Sequence, residues 1–391
     1  MNSTSVYITG SGQTPCGRFP DETLASLATR ALDGALADAA LGPERIDAIF
    51  FANALAGLMT GQECVRGQIA LRHSRYGGIP IVNVDNACAS GSTALHLACQ
   101  AIAAGTHGTV AIVGAEKMSD PDRTKPIRAL AGAADVSLLT DSSEDHSVFM
   151  DGYAQRAQRR IDEQGWEPSD FAEVVVKNRA HAAGNPGAQY RDPLTTEQVL
   201  ASRMISRPLT LPMCSPIGDG AAALVVSGKP HCGKPRIRIR ASALSATGGP
   251  APGSVVQRAM ATAREQSGLA ASEVGVMEIH DATASAELEA YEHLGLAPEG
   301  EGNRLIIERR TRLGGSLPVN TNGGLISRGH PVGATGVLQI AELIDQLTGR
   351  ANARQVDPTP TLALAQNAGG FVEGDNAVGV VTILEREHRQ P

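Results

Sequence analysis

A cysteine separates a run of β-branched residues from a helical pattern in IVNVDNACASGSTALHLACQAIAAG, residues 81–105. If the strand ends near Asp85 and the helix begins near Gly91, Cys88 lies at a helix N-terminus, where free amides and the helix dipole lower a thiol pKa. The same amides can hold the oxyanion of a thioester under attack. The alternative is that Cys88 is simply a small residue that fills a tight turn. Cys99, which lies inside the apolar helix, is expected to be inert packing.

A histidine in a glycine-rich stretch is the second candidate. The segment NTNGGLISRGHPVGATG, residues 320–336, places His330 between Gly329 and Pro331. Its glycines let the backbone approach a ligand, and histidine is the usual base that activates a thiol. The alternative is a loop histidine in an ordinary turn, but the density of glycines favours a functional interpretation.

Two further stretches carry weaker signals. In MEIHDATASAELEAYEHLGL, residues 277–296, His280 and Asp281 end a strand before an amphipathic helix. Asp281 can be a simple N-cap, and His280 a satisfied residue at the strand end. In AQNAGGFVEGDN, residues 365–376, Gly369 and Gly370 expose backbone amides, although a plain hairpin turn would have the same sequence features.

The composition bounds the class of protein. A chain of 391 residues exceeds what one hydrophobic core usually organises, so two domains or two fused halves are expected. The net charge of −7 and the 3% of aromatic residues disfavour nucleic-acid binding, but they allow a local basic patch for a phosphorylated ligand. No apolar segment approaches the ~20 residues that span a bilayer, and MNSTSVYITG at the N-terminus lacks the pattern of a secretory signal.

The cysteines are scattered along the chain, with no close pair at the spacing of metal ligands. This pattern is typical of reduced thiols in a cytoplasm and predicts neither a disulfide scaffold nor a metal site. The six positions are 16, 64, 88, 99, 214 and 232.

Strand and helix patterns alternate along most of the chain. Strands are predicted at VYITGSG, IDAIFFANAL, IVNVD and TVAIVGAEKM, with helices between them, which suggests parallel α/β layering. This rhythm is then lost in an inserted region expected to lie over one end of the sheet, and it returns at GDGAAALVVSG. In the last part of the chain the order of elements repeats, which indicates an internal duplication. The predicted segments are 1–118, 119–215, 216–234 and 235–391.

Taken together, these stretches resemble a thiolase along nearly the whole chain. NVDNACASGSTAL is similar to the family's nucleophile motif, N-x-x-C-x-S-G, and the G-H-P at residues 329–331 is similar to its histidine motif. HDATASAELEAYEHLGL matches the H-D-x-F-T…E-L…Y-E…L-G pattern of the sterol-carrier-protein-type branch, and QNAGG takes the place of the terminal C-x-G. Several specific motifs in the right order identify the chain as a member of this family.

The resemblance implies a five-layered αβαβα thiolase fold from two duplicated halves, with an inserted loop domain that binds coenzyme A. It implies that an acyl-CoA substrate acylates Cys88 and that His330 is the activating base. His280 and His330 would form one oxyanion hole, and the amides of Cys88 and Gly369 the second. The resemblance also implies a homodimer and, as in several relatives of this branch, an OB-fold partner protein that binds acyl-CoA.

One departure from the family pattern concerns the second cysteine, which shuttles the proton in carbon–carbon bond chemistry. Its two possible positions hold Asn367, for the cysteine of C-x-G, and Ala282, for the cysteine of H-D-C-F. Neither an amide nor a methyl group replaces a thiolate as base, and losing a general base typically costs about 10²- to 10⁴-fold in rate. Cys64, Cys214 and Cys232 are substitutes only in principle, because nothing in their spacing suggests the role.

Four functions fit these residues to different degrees. The preferred hypothesis is a CoA-dependent acyltransferase in which Cys88 passes the acyl group to an activated carbon, or to a nucleophile that supplies its own reactivity. A Claisen-type thiolase with an unusual proton carrier and a retro-aldol lyase of CoA thioesters are alternatives, and the retained Cys88 counts against the lyase. The fourth is a non-catalytic scaffold, against which intact Cys88 and His330 argue.

Overall fold

The computed structural model describes residues 5–138, 147–230, 233–248 and 251–387. Strands and helices alternate through these ranges. The strands are β1 Tyr7–Gln13, β2 Ala48–Ala52, β3 Ile81–Val84, β4 Thr109–Glu116, β5 Met204–Ser206, β6 Leu209–Thr210, β7 Gly220–Ser227, β8 Arg236–Ala246, β9 Val276–Glu278, β10 Leu362–Gly369 and β11 Val378–Glu387. The α-helices are α1 Leu24–Ala39, α2 Ala56–Thr60, α3 Arg66–Leu71, α4 Ser90–Ala103, α5 Lys125–Ala131, α6 Val148–Gln164, α7 Pro168–Ala183, α8 Thr196–Leu200, α9 Val255–Ser267, α10 Ala284–His293, α11 Gly302–Ile307, α12 Gly324–Arg328 and α13 Thr335–Thr348.

Nine strands form one sheet in the order β3-β2-β4-β7-β1-β8-β11-β10-β9, and β5 pairs with β6 in a separate hairpin. Two half-sheets meet where β1 pairs with β8, through only two residues of β1, Tyr7 and Ile8. Val319 bridges to Met277 of β9 and adds a fifth segment to the second half. The strands of each half can be numbered 1 to 5 along the chain, leaving out the β5–β6 hairpin. Read from the outer edge of the sheet towards its middle, both halves then have the order 3-2-4-5-1. This repeated order confirms the predicted duplication.

The sheet is mixed, so the expectation of parallel layering is wrong for the strands beside β7 and β11. β2 runs parallel to β3 and β4, and β9 to β10. β7 is antiparallel to β4 and β1, and β11 is antiparallel to β10 and β8. The reason is the route of the chain: β4 ends at Glu116, directly opposite Gly220 at the start of β7. The segment between β4 and β7 leaves and re-enters the sheet at the same end, so β7 must run antiparallel to β4.

Helices fill three layers around the two half-sheets. α1 packs on the outer face of the first half, where its buried Leu and Ala side chains join an apolar cluster with β2, β4 and β7. α4 and α13 lie between the half-sheets, because Leu95 and Leu338 share a cluster with Val110 of β4 and Ala363 of β10. α9 and α10 cover the outer face of the second half. These layers confirm the predicted five-layered αβαβα arrangement.

Short-range signals set the ends and the close packing of α1. Thr23 caps the helix, since its hydroxyl accepts a hydrogen bond from the Ser26 amide at 3.1 Å. Gly12 of β1 lets the helix lie against the strand, because a Cβ atom there would be 2.4 Å from both Ala31 O and Ala35 N. The helix expected between the first two predicted strands is therefore present.

Residues 119–215 are more regular than the sequence suggested. They contain α5 to α8 and the β5–β6 hairpin. Sequence reasoning missed α7, whose apolar stripe is interrupted because Lys177 is fully buried and forms an ion pair with Glu287 of α10. The predicted boundaries of this segment stay a prediction. None of the helices in the described part of the chain combines the length and the apolar character needed to cross a bilayer.

Candidate active site

Cys88 lies in the turn between β3 and α4, where the sequence pattern predicts it. Ala87 has a left-handed backbone conformation, with φ of 50°. Ser90 holds the turn, since its Oγ accepts a hydrogen bond from Asn86 N at 2.9 Å and donates one to Ala87 O at 2.6 Å. Cys88 is 7% exposed and lines a cavity of about 530 Å³. The turn therefore presents its sulfur to an internal space and not to bulk solvent.

The last residue of β10 packs directly against this turn. A Cβ atom on Gly369 would lie 2.3 Å from Asn86 O and 2.6 Å from Ala89 N, so glycine is needed for the close approach. The next amide, that of Gly370, donates a hydrogen bond to Cys88 that lowers the thiol pKa. Sequence reasoning singled out the exposed amides of both glycines but assigned an oxyanion-hole role only to that of Gly369.

The structure brings the three predicted side chains together. His280 follows β9 and His330 follows α12. One ring nitrogen of each lies with Cys88 Sγ in a group whose atoms are all within 4.8 Å of one another. The two imidazole centres are 5.3 Å apart, with ring planes at 79°. All three residues are buried and line the cavity, and the roles assigned to them stay predictions.

Hydrogen bonds fix the tautomer of His330. The Thr335 hydroxyl donates to Pro331 O at 3.1 Å, so its oxygen can accept from His330 Nδ1 at 2.7 Å. This pattern assigns the proton to Nδ1 and leaves a lone pair on Nε2. Burial, with the nearby His280 and Arg328, holds the pKa of His330 well below its usual value. The imidazole is neutral near pH 7 and can accept a proton.

His280 is neutral for the same physical reason. Burial, reinforced by the positive charge of Arg328, lowers the pKa of His280 to about 3. Its Nδ1 lies 3.4 Å from the side-chain nitrogen of Asn367. Its backbone amide donates to the Gln366 side-chain oxygen at 2.9 Å. Residues of β10 thus hold both the backbone and the ring of His280.

The expectation of a lowered thiol pKa at Cys88 is wrong. Burial, helped by the charge of Glu116, raises the pKa of Cys88 to about 12, and hydrogen bonds from the amides of Cys88 and Gly370 offset this only in part. Burial outweighs the position at a helix N-terminus, because it leaves too little water around the sulfur to stabilise a thiolate. The resting group is a thiol, so a base must take its proton during attack.

Glu116, at the end of β4, is a buried acid that sequence reasoning missed. Its two oxygens accept hydrogen bonds from the amides of Ala54, Leu55 and Gly333 at 3.0, 3.1 and 2.9 Å, and from the Asn53 side chain at 2.7 Å. Burial raises the pKa of Glu116 to about 7. The only signal in the sequence is an acid that ends the apolar strand TVAIVGAE. Glu116 ties the first half to the loop that carries His330.

The cluster of one thiol and two imidazoles also has ligand types that zinc accepts. A metal-bound histidine normally donates its other ring N–H to an acceptor. The Nδ1 of His280 faces the amide nitrogen of Asn367, which is a donor. A metal on Nε2 would force two N–H groups against each other, so the donor set does not fit a metal.

The cavity has an apolar part and a basic part. Apolar side chains reach it from the region of α5 and α6 and from α12, including Leu130, Phe149, Met150 and Ile326. Four arginines line it as well, namely Arg18, Arg123, Arg179 and Arg203. Among the residues that the structure describes, Arg18, Arg123 and Arg203 form no ion pair. The guanidinium of Arg179 stacks on Tyr190, 4.6 Å from the ring centre.

No thiol stands at either family position of the second cysteine. Ala282 lines the cavity, and Asn367 is buried behind it. Cys214 also lines the cavity, but its Sγ donates to a backbone carbonyl at 3.6 Å and is not part of the group of atoms within 4.8 Å. Cys64 is exposed. Cys232 lies outside the described residues.

Comparisons with known proteins agree with the fold. A model of the thiolase N-terminal domain matches residues 6–204, and one of a thiolase C-terminal domain-like unit matches residues 241–386. The chain is 33% identical over 382 residues to the benzoylsuccinyl-CoA thiolase subunit BbsB of Thauera aromatica, covering 95% of this chain and 96% of that protein. It is 34% identical over 390 residues to human sterol carrier protein 2, covering 93% of this chain and 70% of that protein. A solved Ltp2-ChsH2(DUF35) aldolase superposes with a TM-score of 0.79 at 24% identity over 100% of both chains, which shows the shared fold.

Proposed function

Because this chain belongs to the thiolase family, as the resemblance to its sterol-carrier-protein-type branch predicted, we propose that it is a CoA-dependent acyltransferase working through an acyl-Cys88 thioester. One observation carries the proposal: the Cys88 sulfur lies within 4.8 Å of a nitrogen of each of two neutral histidines, on the wall of a cavity. This arrangement suits a protonated thiol that is activated only when a thioester is bound.

In the first step, Nε2 of His330 takes the proton of the Cys88 thiol as the sulfur attacks the thioester carbonyl. The new carbon–sulfur bond forms, and the CoA sulfur leaves with the proton returned from His330, so that protons balance. The carbonyl oxygen would accept hydrogen bonds from the amides of Cys88 and Gly369, whose close packing on the turn fixes their distance.

In the second step, the acyl group passes from Cys88 to an acceptor. His280 would hold the oxygen of the second bound group, joined by His330 once its Nε2 has taken a proton. A base for a carbon acid is missing at both family positions, since Ala282 and Asn367 cannot take a proton. The acceptor would therefore be an activated carbon or a nucleophile that loses its proton to His330.

The basic part of the cavity would bind coenzyme A. The chain as a whole is acidic, with a net charge of −7, yet four arginines line one cavity. Among the described residues, Arg18, Arg123 and Arg203 have no carboxylate partner. Guanidinium groups without partners suit the phosphates of coenzyme A, and apolar residues such as Phe149 would contact the acyl chain.

A Claisen-type thiolase is the second candidate. A relative at 33% identity is named as a benzoylsuccinyl-CoA thiolase subunit, which favours carbon–carbon bond cleavage. Such an enzyme would need an unusual proton carrier in place of the second cysteine. A retro-aldol lyase is a weaker alternative, because Cys88 is retained beside both histidines.

We also propose a homodimer in the cytoplasm, with an OB-fold protein as a further partner. β3 lies at the edge of the sheet, and exposed apolar side chains lie on it and just before it, at Leu58, Val65, Ile69 and Val82. An open edge beside apolar residues favours pairing with a second copy. The name of the relative BbsB as a subunit supports a partner protein, and free cysteines agree with a reducing compartment.

Intact-mass spectrometry after mixing the protein with a panel of acyl-CoAs tests the proposal. We expect a mass increase of one acyl group on the wild type and none on Cys88→Ala. Adding candidate acceptors, or CoA with acetoacetyl-CoA, then separates general acyl transfer from a Claisen reaction. Labelling of Cys88→Ala, or activity that survives this substitution, would overturn the acyl-cysteine mechanism and favour the lyase.

A further inference from the structure

The amide that replaces the family's cysteine is fixed in one orientation by its neighbours. Gln339 of α13 donates from Nε2 to the backbone oxygen of Gln366 at 3.1 Å, and a carbonyl can only accept. The other end of this amide, Oε1, therefore faces Asn367 and accepts from its Nδ2 at 2.9 Å. Asn367 Nδ2 also lies 3.4 Å from His280 Nδ1, within reach of its second hydrogen.

We propose that Asn367 is a positioning residue that holds His280 in the tautomer with a lone pair on Nδ1 and the proton on Nε2. An amide N–H cannot accept, so Nδ1 must. The ring is then left with Nε2–H as its only donor. This inference rests on the proposed acyl transfer for its chemical meaning, but the tautomer itself is a property of the resting protein.

The two histidines thereby receive opposite roles. Thr335 makes Nδ1 of His330 a donor, which leaves a basic Nε2 there. Asn367 makes Nδ1 of His280 an acceptor, which leaves Nε2–H free to hold an oxyanion. One imidazole takes the proton of Cys88, and the other stabilises the negative charge that develops on a thioester oxygen.

The unused end of the amide supports a role for its nitrogen. Asn367 is 1% exposed, and within the described ranges its Oδ1 has no hydrogen-bond partner. A buried acceptor without a partner costs stability. The side chain is therefore poorly explained as packing, whereas both of its N–H groups are used, on Gln339 and on His280.

The tautomer is measured directly by NMR of the protein labelled with ¹⁵N-histidine, with the His280 signals identified as those lost in His280→Gln. For the wild type near pH 7 we expect the shift of a non-protonated Nδ1 and of a protonated Nε2. A protonated Nδ1 at His280 would overturn the proposal, whatever the enzyme's activity. If the wild type is not acylated by any acyl-CoA, the proposed function fails while this result still stands.

Asn367→Asp is the matched variant, since it keeps the shape and turns the donor into an acceptor. The carboxylate raises the pKa of His280. Below that pKa the imidazolium still donates from Nε2. Above it, Nδ1–H binds the carboxylate and Nε2 becomes a lone pair. We expect the rate of acyl transfer from acyl-Cys88 to the acceptor, relative to wild type, to fall about 10²-fold as pH rises through this pKa, because His280 would hold the oxygen of the second bound group.

Charged and titratable groups near His280 are Cys88, Arg328, His330 and the adjacent buried acid Asp281, and all are unchanged in the variant. Dividing by the wild-type rate at each pH therefore removes their own titration. Asn352→Asp, on an exposed turn after α13, adds the same charge and should show a flat ratio. A flat ratio for Asn367→Asp as well would overturn the proposal. Should that variant fail to fold, the NMR measurement on the wild type decides alone.

Discussion

Gly369→Ala is expected to separate the nucleophile turn from β10. A Cβ atom there would lie 2.3 Å from Asn86 O, and ordinary contact begins near 3.4 Å, so the turn and the strand must move apart by about 1.1 Å. The conformation of Gly369 is not left-handed, so alanine adds only this steric conflict. A displacement of about 1 Å in a reacting group costs about 10²-fold in rate, and overpacking of this kind costs about 1–3 kcal/mol of stability.

The first assay is the rate of Cys88 acylation, monitored by rapid quenching and intact-mass spectrometry. The second is the free energy of unfolding, measured by denaturant titration. Gly108→Ala is the matched control, because its Cβ would meet its nearest atom, Asp47 Oδ2, at 3.5 Å, an ordinary contact before β4. We expect the control to stay within about twofold of wild type. An acylation rate for Gly369→Ala equal to that of the control would refute the reasoning that this approach positions the sulfur.

Three further results are expected. Thr335→Val leaves the Nδ1–H of His330 without its acceptor, so acylation should slow and unfolding should become easier by about 1–3 kcal/mol, measured by denaturant titration. Arg203→Ala should raise KM for acyl-CoA with little change in kcat, measured by steady-state kinetics, because a phosphate contact is lost from ground state and transition state alike. Burial raises the pKa of Glu116 to about 7, so between the unfolded value and pH 7 the folded state binds more protons and the free energy of unfolding falls as pH rises. Unfolding at several pH values should show this slope in the wild type and a weaker slope in Glu116→Gln.

Cys88 lies on the predicted strand-to-helix turn and His280 follows a predicted strand, whereas the short helix before His330 was not predicted. Such features depend on neighbours within a few residues, which a sequence displays. The helix α7 escaped detection because a buried ion pair, Lys177 with Glu287, occupies a position where an apolar residue would complete the pattern.

The expectation from electrostatics, a lowered pKa at Cys88, was wrong. The helix N-terminus predicted a low thiol pKa, whereas burial raises the pKa of Cys88 to about 12. Glu116 and Thr335 were not singled out at all, because an acid at a strand end and a threonine near a glycine-rich loop are common. Their significance lies in partners far along the chain, such as Gly333 for Glu116.

The sequence by itself determined the family and the duplicated α/β halves, and it supplied the candidate residues for acyl chemistry. These follow from periodicity and from short motifs, whose physics is local. Only the tertiary structure decided that β7 and β11 run antiparallel to their neighbours, that burial raises the pKa of the Cys88 thiol, and that the two imidazoles contact different partners, Thr335 and Asn367. Desolvation and hydrogen bonding at the site depend on every element packed around it, and those elements meet only when the chain has folded.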